Sequence, residues 1–354
     1  MTDRWQQVPV ASRQSTRLGI SVRPPQLDAL ALDARSTLRT LLAYPFQLVR
    51  LGAYWSRIEA EPGQLRFDEL DWWQIDLIER AGKQIILGVG ALKTFGYPEC
   101  FIPAHHLRSP LREGALVDPV SHRDLLSAAT AFVTRLVERY RDHPSIVAWQ
   151  VEHEAVDPLG MEHSWRLAAE FVQQEVAAVR AADPTSPIML NGFLPTSSLV
   201  RLQQWWRTRD QGDSLAVAQR LADTIGIDFY PRHALASLGA WTLYLDGSRH
   251  PWQQGRRQRL FAWAIARGRT VMISEGQAEP WETVTSPPNP GAHAMYSCLP
   301  EHVIENYNQC MRWAAPGDPR LSAYLFWGAE YWVLRAQTGD TRYLQAFARI
   351  LDQA

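Results

Sequence analysis

Residues 146–154, IVAWQVEHE, join a short apolar run to a cluster of polar side chains, and this junction indicates the fold class. The run 146–151 is mostly apolar, as expected for a strand that is buried on both faces of a parallel sheet. Glu152, His153 and Glu154 follow at once. A buried strand that ends in polar side chains is typical of a parallel α/β sheet, because such sheets place their functional groups at the carboxyl ends of the strands.

Seven further runs of this kind lie along the chain, each short and bounded by polar or helix-breaking residues. The eight predicted strands are 17–22, 47–53, 83–89, 146–151, 187–191, 223–229, 269–274 and 321–327. Helical patterns lie between strands or after the last one, at 71–81 (ended by Gly82), 121–141, 162–182, 302–314 and 341–351. This alternation predicts an α/β protein, and eight βα units predict a single closed (β/α)8 TIM barrel. No Pro/Gly/Ser-rich linker divides the chain, so one domain, 1–354, is expected.

Composition narrows the classes of function. The formal net charge is -1 and basic residues form no long run, so nucleic acid is not an expected partner. The three cysteines, Cys100, Cys298 and Cys310, are too few for a disulfide framework or a cysteine metal site, and we expect reduced thiols. The sequence has no apolar run that predicts a signal peptide or a membrane span, so a cytoplasmic protein is expected. The oligomeric state stays open, and neither cofactor nor metal is predicted.

Aromatic residues are abundant, with 15 tryptophans, 11 tyrosines and 11 phenylalanines. Flat apolar faces suit the C–H faces of sugar rings, although most of these side chains must serve the core.

Two carboxylates stand out as candidates for catalysis. Glu154 follows the fourth predicted strand and Glu275 follows the seventh. Cleavage of a glycosidic bond needs such a pair, one to protonate the leaving oxygen and one to stabilise or capture the positive centre.

Spacing alone leaves Glu152 and Glu154 as alternatives. They are two residues apart, so a regular strand would point both to the same face. Glu154 lies nearer the following loop, which favours it as the group that faces a cleft. A carboxylate at a strand end is also often part of a plain ion pair at the rim of the barrel.

Four segments carry a resemblance to a known family. They are residues 50–59 (RLGAYWSRIE), 144–154 (PSIVAWQVEHE), 228–231 (DFYP) and 274–281 (SEGQAEPW). In this order and spacing they resemble clan A retaining glycoside hydrolases, and in motif they are similar to the catalytic barrel of the family 42 β-galactosidases. The likeness extends over about residues 15 to 335.

The resemblance implies roles for individual residues. Glu154 matches the acid/base and Glu275 the nucleophile of a retaining enzyme, whose carboxyl groups lie about 5 to 5.5 Å apart. Glu152 matches an acidic residue that is not the proton donor. Supporting candidates are Tyr230 as a hydrogen-bond donor to Glu275, Arg50 as the cation that keeps Glu275 ionised, Trp327 as the floor of the sugar subsite and Gln277 as a hydroxyl ligand. Aromatic candidates for lining the cleft, for which plain packing is the simpler account, are Tyr54, Trp55, Phe193, Trp281 and Trp332.

One position departs from the pattern. His153 stands where most of the clan has an asparagine that binds the sugar 2-hydroxyl. Histidine can still donate a hydrogen bond, but its charge depends on pH. The departure puts galactose specificity in doubt and keeps glucose and mannose configurations open, so the expected substrates are small β-galactosides, β-glucosides or β-mannosides.

The residues admit three other interpretations. A metal-dependent barrel hydrolase needs converging His and carboxylate ligands, and the adjacent His105 and His106 are poorly placed to share one ion. A non-catalytic glycan-binding barrel is disfavoured by the intact Glu154 and Glu275. Transglycosylation by the same two residues stays open, because a sugar hydroxyl can replace water as the acceptor.

Overall fold

A computed structural model describes residues 4–96, 100–112, 114–157, 165–195, 198, 201–202, 205–206, 212–238, 241–246, 251–280, 297–313 and 321–353. Eight strands form a closed barrel, and we number them β1 to β8 in chain order. The predicted fold class is therefore confirmed. The strands are β1 Arg17–Val22, β2 Leu48–Gly52, β3 Gln84–Gly88, β4 Ile146–Gln150, β5 Ile188–Phe193, β6 Thr224–Phe229, β7 Thr270–Gln277 and β8 Ala323–Trp327.

All eight barrel strands coincide with predicted strands, with ends that differ by a few residues. Every residue of β2 and of β8 is buried. A strand that is covered on both faces shows a continuous apolar run and no alternation, which is why these segments could be recognised from the sequence.

Helices precede, separate and follow the strands. They are Arg4–Gln7, Pro24–Ala29, Ala34–Leu42, Trp55–Ile58, Leu70–Ile75 (a π-helix), Asp76–Arg80, Ala104–His106 (a 3₁₀ helix), Arg123–Tyr140, Ala169–Ala182, Ser214–Leu221, Pro251–Ala266, Pro300–Met311, Ala329–Gln337 and Arg342–Gln353. Arg123–Tyr140 buries the apolar face that its sequence spacing predicts, from Leu125 to Val137. Several of the helices had no counterpart in the sequence prediction: Pro24–Ala29, Ala34–Leu42, Ser214–Leu221, Pro251–Ala266 and Ala329–Gln337.

Two local differences from the prediction stand out. The predicted helix 162–182 begins only at Ala169, because Arg166–Leu167 forms a short parallel strand with Leu116–Val117. After β6, Arg232–Leu238 and Trp241–Asp246 pair as antiparallel strands, which are not predicted from the sequence.

The chain comprises two compact units that are discontinuous in sequence. The first contains Met1–Leu48, Leu194–Val200 and Ile227–Ala354, and the second contains Val49–Phe193 and Arg201–Gly226. In the first unit β8 pairs in parallel with β1 and with β7. In the second unit β4 pairs in parallel with β3 and with β5. The single-domain organisation over residues 1–354 stays a prediction. Within the described part of the chain, none of the helices combines the length and the apolar character needed to cross a membrane.

Candidate active site

The segment that follows β4 has an unusual backbone. The strand ends at Gln150. Beyond it, Glu152 and Glu154 adopt positive φ angles of 55° and 42°. A non-glycine residue in this left-handed region costs about 1–3 kcal/mol and persists only where its surroundings impose it. The parity of a regular strand therefore does not apply to the two glutamates, and their side chains take different environments.

A buried lysine imposes part of this conformation. The Lys93 ammonium group donates hydrogen bonds to the backbone carbonyl oxygens of Glu154 (2.9 Å) and Asp157 (3.0 Å). The Asn191 side-chain oxygen accepts from the backbone N–H of Glu154 at 3.3 Å. Lys93 is fully buried, and a buried charge needs polar or charged partners. These carbonyl groups and the nearby Glu152 provide them. The backbone of Glu154 is thus held from both sides.

Gln150, the last residue of β4, links this segment to β2 and β5. Its side-chain amide donates to the Glu152 carbonyl oxygen (2.9 Å) and to the Asn191 side-chain oxygen (3.1 Å). Its side-chain oxygen accepts from Arg50 Nε at 2.6 Å. The guanidinium of Arg50 also lies over the Phe95 ring, 3.9 Å from its centroid. In the second unit Arg50 therefore fixes Gln150, while its expected action on Glu275 stays a prediction.

Glu152 is engaged by protein groups. Its carboxylate accepts hydrogen bonds from the backbone N–H groups of Leu92 (2.9 Å) and Lys93. It also pairs with the carboxyl of Glu175. Burial raises the pKa of both groups, and the charge of Glu152 raises the pKa of Glu175 further. Glu175 is therefore the protonated partner, and its hydroxyl donates a hydrogen bond to the Glu152 carboxylate. The contacts of Glu152 suit a residue that positions its neighbours.

Glu275 lies at an irregularity in β7. Ile273 is paired with Tyr324 of β8, but Gly276 is paired with Phe326, so β7 has one extra residue between these pairs. Such a bulge re-aims the side chains within it and is common beside active sites. The Tyr230 hydroxyl, which follows β6, donates a 2.5 Å hydrogen bond to Glu275 Oε2. The predicted contact between Tyr230 and Glu275 is present.

The neighbours of Glu275 are packed closely. Ser274 donates to the Asp228 carboxylate at 2.7 Å. A Cβ at Gly276 would lie 2.2 Å from the Tyr324 hydroxyl oxygen, so only glycine fits there. Gln277 is buried, and its amide nitrogen lies 3.5 Å from Ser297 Oγ. Its binding of a sugar hydroxyl stays a prediction.

A buried ion-pair network adjoins Trp327, and most of it is not predicted from the sequence. The Arg23 guanidinium lies over the Trp327 ring, 4.2 Å from its centroid, and binds Glu279 (2.8 Å) and Glu330 (2.7 Å). Burial opposes the charge of Arg23, but the two carboxylates raise its pKa well above its usual range. Burial raises the pKa of Glu279, the charges of Glu330 and Glu275 raise it further, and Arg23 opposes them. Arg23 and Glu330 could have been found from their positions just after the first and eighth predicted strands.

The remaining predicted residues are placed as follows. Tyr54 is buried and donates to the Phe95 carbonyl oxygen at 2.8 Å, with its ring against Phe101. His153 is buried, with 3% of its surface exposed. Trp332 is fully buried and donates to the Ala278 carbonyl oxygen. Trp281 lies outside the described residues. No observation tests the binding roles predicted for Tyr54 and His153.

Comparison with known proteins finds likeness to glycosidases. The family model described as Beta-galactosidase (glycoside hydrolase family 42) matches residues 33–166. The curated Beta-galactosidase BgaB of Geobacillus sp. (strain Y412MC61) is 29% identical over 116 residues, which are 30% of this chain and 17% of that protein. The match thus spans less than a fifth of the relative. The predicted resemblance to clan A and family 42 is confirmed.

Solved structures share the barrel. The protein GH5_18 from Streptomyces cattleya, solved in complex with GlcNAc, is 15% identical with a TM-score of 0.61, covering 97% of this chain and 82% of that one. The β-galactosidase from Bacillus circulans sp. alkalophilus is 13% identical with a TM-score of 0.55, covering 96% and 55%. Xylanase 10B from Thermotoga maritima is also 13% identical with a TM-score of 0.55, covering 96% of both chains. At such identities the likeness establishes the fold alone.

Proposed function

We propose that this chain, which resembles clan A glycoside hydrolases, cleaves β-glycosidic bonds with retention of configuration, through Glu154 as acid/base and Glu275 as nucleophile. The observation that carries the proposal is the hydrogen bond from Tyr230 to Glu275 Oε2, on a bulge in β7. A hydroxyl donor stabilises the ionised carboxylate, which is the attacking form, and fixes its orientation. Supporting it is the strained backbone of Glu154, held by Lys93 and Asn191.

In the first step, a Glu275 oxygen attacks the anomeric carbon while the bond from that carbon to the leaving oxygen breaks. Glu154 transfers its proton to that leaving oxygen, so an alcohol or sugar departs and a glycosyl ester on Glu275 remains. In the second step, the Glu154 carboxylate removes a proton from water as the water oxygen attacks the anomeric carbon. The ester bond breaks, and Glu275 returns to its ionised form. Two inversions give net retention.

The substrate class follows from the family resemblance and from the histidine at position 153. We propose small β-galactosides, β-glucosides or β-mannosides, in which the ring lies against Trp327 and His153 binds a ring hydroxyl. Trp327 keeps 8% of its surface exposed and is braced from one side by Arg23. A braced indole suits a sugar-ring platform because its face is apolar and its orientation is fixed.

A panel of aryl β-glycosides (galactoside, glucoside, mannoside, fucoside and xyloside) tests the proposal. We expect turnover of at least one, and a loss on the order of 10³-fold or more in Glu275→Gln and in Glu154→Gln. Glu170→Gln, an exposed carboxylate on the helix Ala169–Ala182, is the matched control and should retain full activity. Proton NMR of the first product should show the β-anomer.

Different outcomes separate the alternatives. Binding of sugars without turnover of any aryl glycoside would indicate a glycan-binding barrel. Transfer of the sugar to an added sugar acceptor in preference to water would indicate a transglycosylase that uses the same carboxylates. Unchanged turnover in Glu154→Gln or Glu275→Gln would refute the role of that residue.

A further inference from the structure

Glu59, His105 and His106 converge within the second unit. Glu59 follows the helix after β2, and the two histidines lie on the 3₁₀ turn Ala104–His106, which follows β3. His105 Nε2 lies 3.3 Å from Glu59 Oε1, and His106 Nε2 lies 3.0 Å from Glu59 Oε2. One ligand atom from each of the three residues lies within 4.8 Å of the other two. From the sequence, the adjacent His105 and His106 are expected to be poorly placed to share one ion, but in the structure both rings face one carboxylate.

We propose that Glu59, His105 and His106 form a binding site for a divalent transition metal of the zinc type. Two imidazoles and one carboxylate are a ligand set that zinc commonly takes, with a fourth position open to water. Ligand atoms around a tetrahedral zinc lie about 3.3 Å apart, given metal–ligand bonds near 2.0–2.1 Å. The Glu59–His105 and Glu59–His106 separations, 3.3 and 3.0 Å, are close to that spacing.

The carboxylate of Glu59 is prepared for this role. Trp55 Nε1 donates to Oε2 at 2.7 Å and the Gly63 N–H donates to Oε1 at 2.9 Å. These donors supply the outer-shell hydrogen bonds that orient metal-ligating carboxylates.

The histidines are also held in place while staying accessible. The Trp55 ring stacks on the His106 ring, with centroids 4.6 Å apart. It also stacks on the Phe132 ring, with centroids 5.4 Å apart. The side chains of His105 and His106 are 22% and 23% exposed, so an ion can enter from solvent. A bound ion would join the segments that follow β2 and β3, which the backbone already ties through the Ser56 N–H and the Phe101 carbonyl (2.8 Å). The metal would cross-link these two segments.

Calorimetric titration of untagged, metal-free protein with Zn²⁺, in a Cys100→Ser background, tests the site. We expect one Zn²⁺ per chain, and a Co²⁺ complex with visible absorption bands of tetrahedral coordination. His105→Gln and His106→Gln should each lose more affinity than the roughly 10- to 100-fold that removal of an outer-shell partner costs. His122→Gln and His143→Gln are matched controls, because each removes a histidine that faces a carboxylate elsewhere, Asp118 and Glu79.

A second measurement needs no variant. In wild-type protein, Zn²⁺ should slow the modification of His105 and His106 by diethyl pyrocarbonate and leave His122 and His143 unaffected. Absence of saturable Zn²⁺ and Co²⁺ binding by the wild type would overturn the proposal. So would unchanged affinity in both His105→Gln and His106→Gln. Neither readout depends on glycosidase activity.

Discussion

The Lys93 ammonium group lies 2.9 Å from the backbone carbonyl oxygen of Glu154. It reaches that carbonyl from the loop after β3, and it also bonds Asp157. Lys93 and Lys83 are the two lysines of the chain. A buried cation that donates to the carbonyl of a residue with positive φ holds the backbone in a conformation that the chain would otherwise leave.

Replacing Lys93 by methionine removes these two bonds while keeping a similar volume. Hydrogen bonds to charged groups contribute about 1.5–3 kcal/mol each, so we expect a clear loss of unfolding free energy. A displaced Glu154 should also lower kcat on an aryl glycoside by roughly 100-fold. Urea unfolding and steady-state kinetics measure the two effects. Lys83→Met, which precedes β3, is the control; equal losses in both variants would exclude a specific role for Lys93.

Tyr230→Phe removes the hydroxyl that donates to Glu275. Loss of a hydrogen bond to a charged group is worth about 1.5–3 kcal/mol, which corresponds to a 10- to 100-fold fall in kcat/KM. Tyr140→Phe is the matched control, because Tyr140 donates to the carboxylate of Asp71 on the helical layer. Only the Tyr230 variant should lose activity. Full activity in Tyr230→Phe would show that this hydrogen bond does not serve the reaction.

The Glu152–Glu175 pair predicts a pH-dependent stability. Because the pKa of Glu175 is raised in the folded protein, the folded state binds more protons than the unfolded chain once the pH exceeds about 4.3. The raised pKa of Glu175 therefore adds to the free energy of unfolding of the wild type at low pH. This contribution is lost as the pH rises from about 4.3 toward the pKa that Glu175 has in the folded protein. In Glu175→Gln a neutral amide donates to Glu152 at every pH.

We therefore expect the stability of Glu175→Gln relative to wild type to increase between pH 5 and pH 8, as measured by urea unfolding. Glu170→Gln changes an exposed carboxylate on the same helix and should show no such trend. A stability difference for Glu175→Gln that stays constant over this interval would contradict the shared proton.

Gly276→Ala should damage the segment that carries Glu275. Its Cβ would lie 2.2 Å from the Tyr324 hydroxyl oxygen, and Tyr324 is fully buried and cannot retreat. Overpacking of this kind costs about 1–3 kcal/mol or more. In Gly255→Ala the nearest atom to the new Cβ among the described residues, outside the backbone of its own helix, is Arg259 Nη1 at 3.6 Å, so this helical site should be stabilised by about 1 kcal/mol. Thermal unfolding compares them; equal melting temperatures for the two would refute the packing argument.

The sequence predicted the barrel closely and the helices less well. Ala34–Leu42 was not predicted, although Asp33 caps its first turn through the Ser36 N–H. The helix Ala169–Ala182 starts later than predicted because Arg166–Leu167 pairs with Leu116–Val117. That pairing joins segments 50 residues apart along the chain. Local periodicity carries no information about such a partner.

The candidate site was predicted in part. The Tyr230–Glu275 hydrogen bond was expected from the resemblance, and the structure has it. Arg23 and Glu330, which are 307 positions apart, were not identified. The sequence also gave no sign that His105 and His106 both face Glu59.

The order of buried runs along the chain was enough to determine eight strands and the carboxylates that follow two of them, because burial on both faces leaves a continuous apolar signal in the sequence itself. Tertiary structure alone decided the left-handed backbone at Glu152 and Glu154, the shared proton of Glu152 and Glu175, and the Arg23 network. These features depend on groups that are distant in sequence and meet only after the strands have paired. Their energies come from burial and charge, which a local pattern does not record.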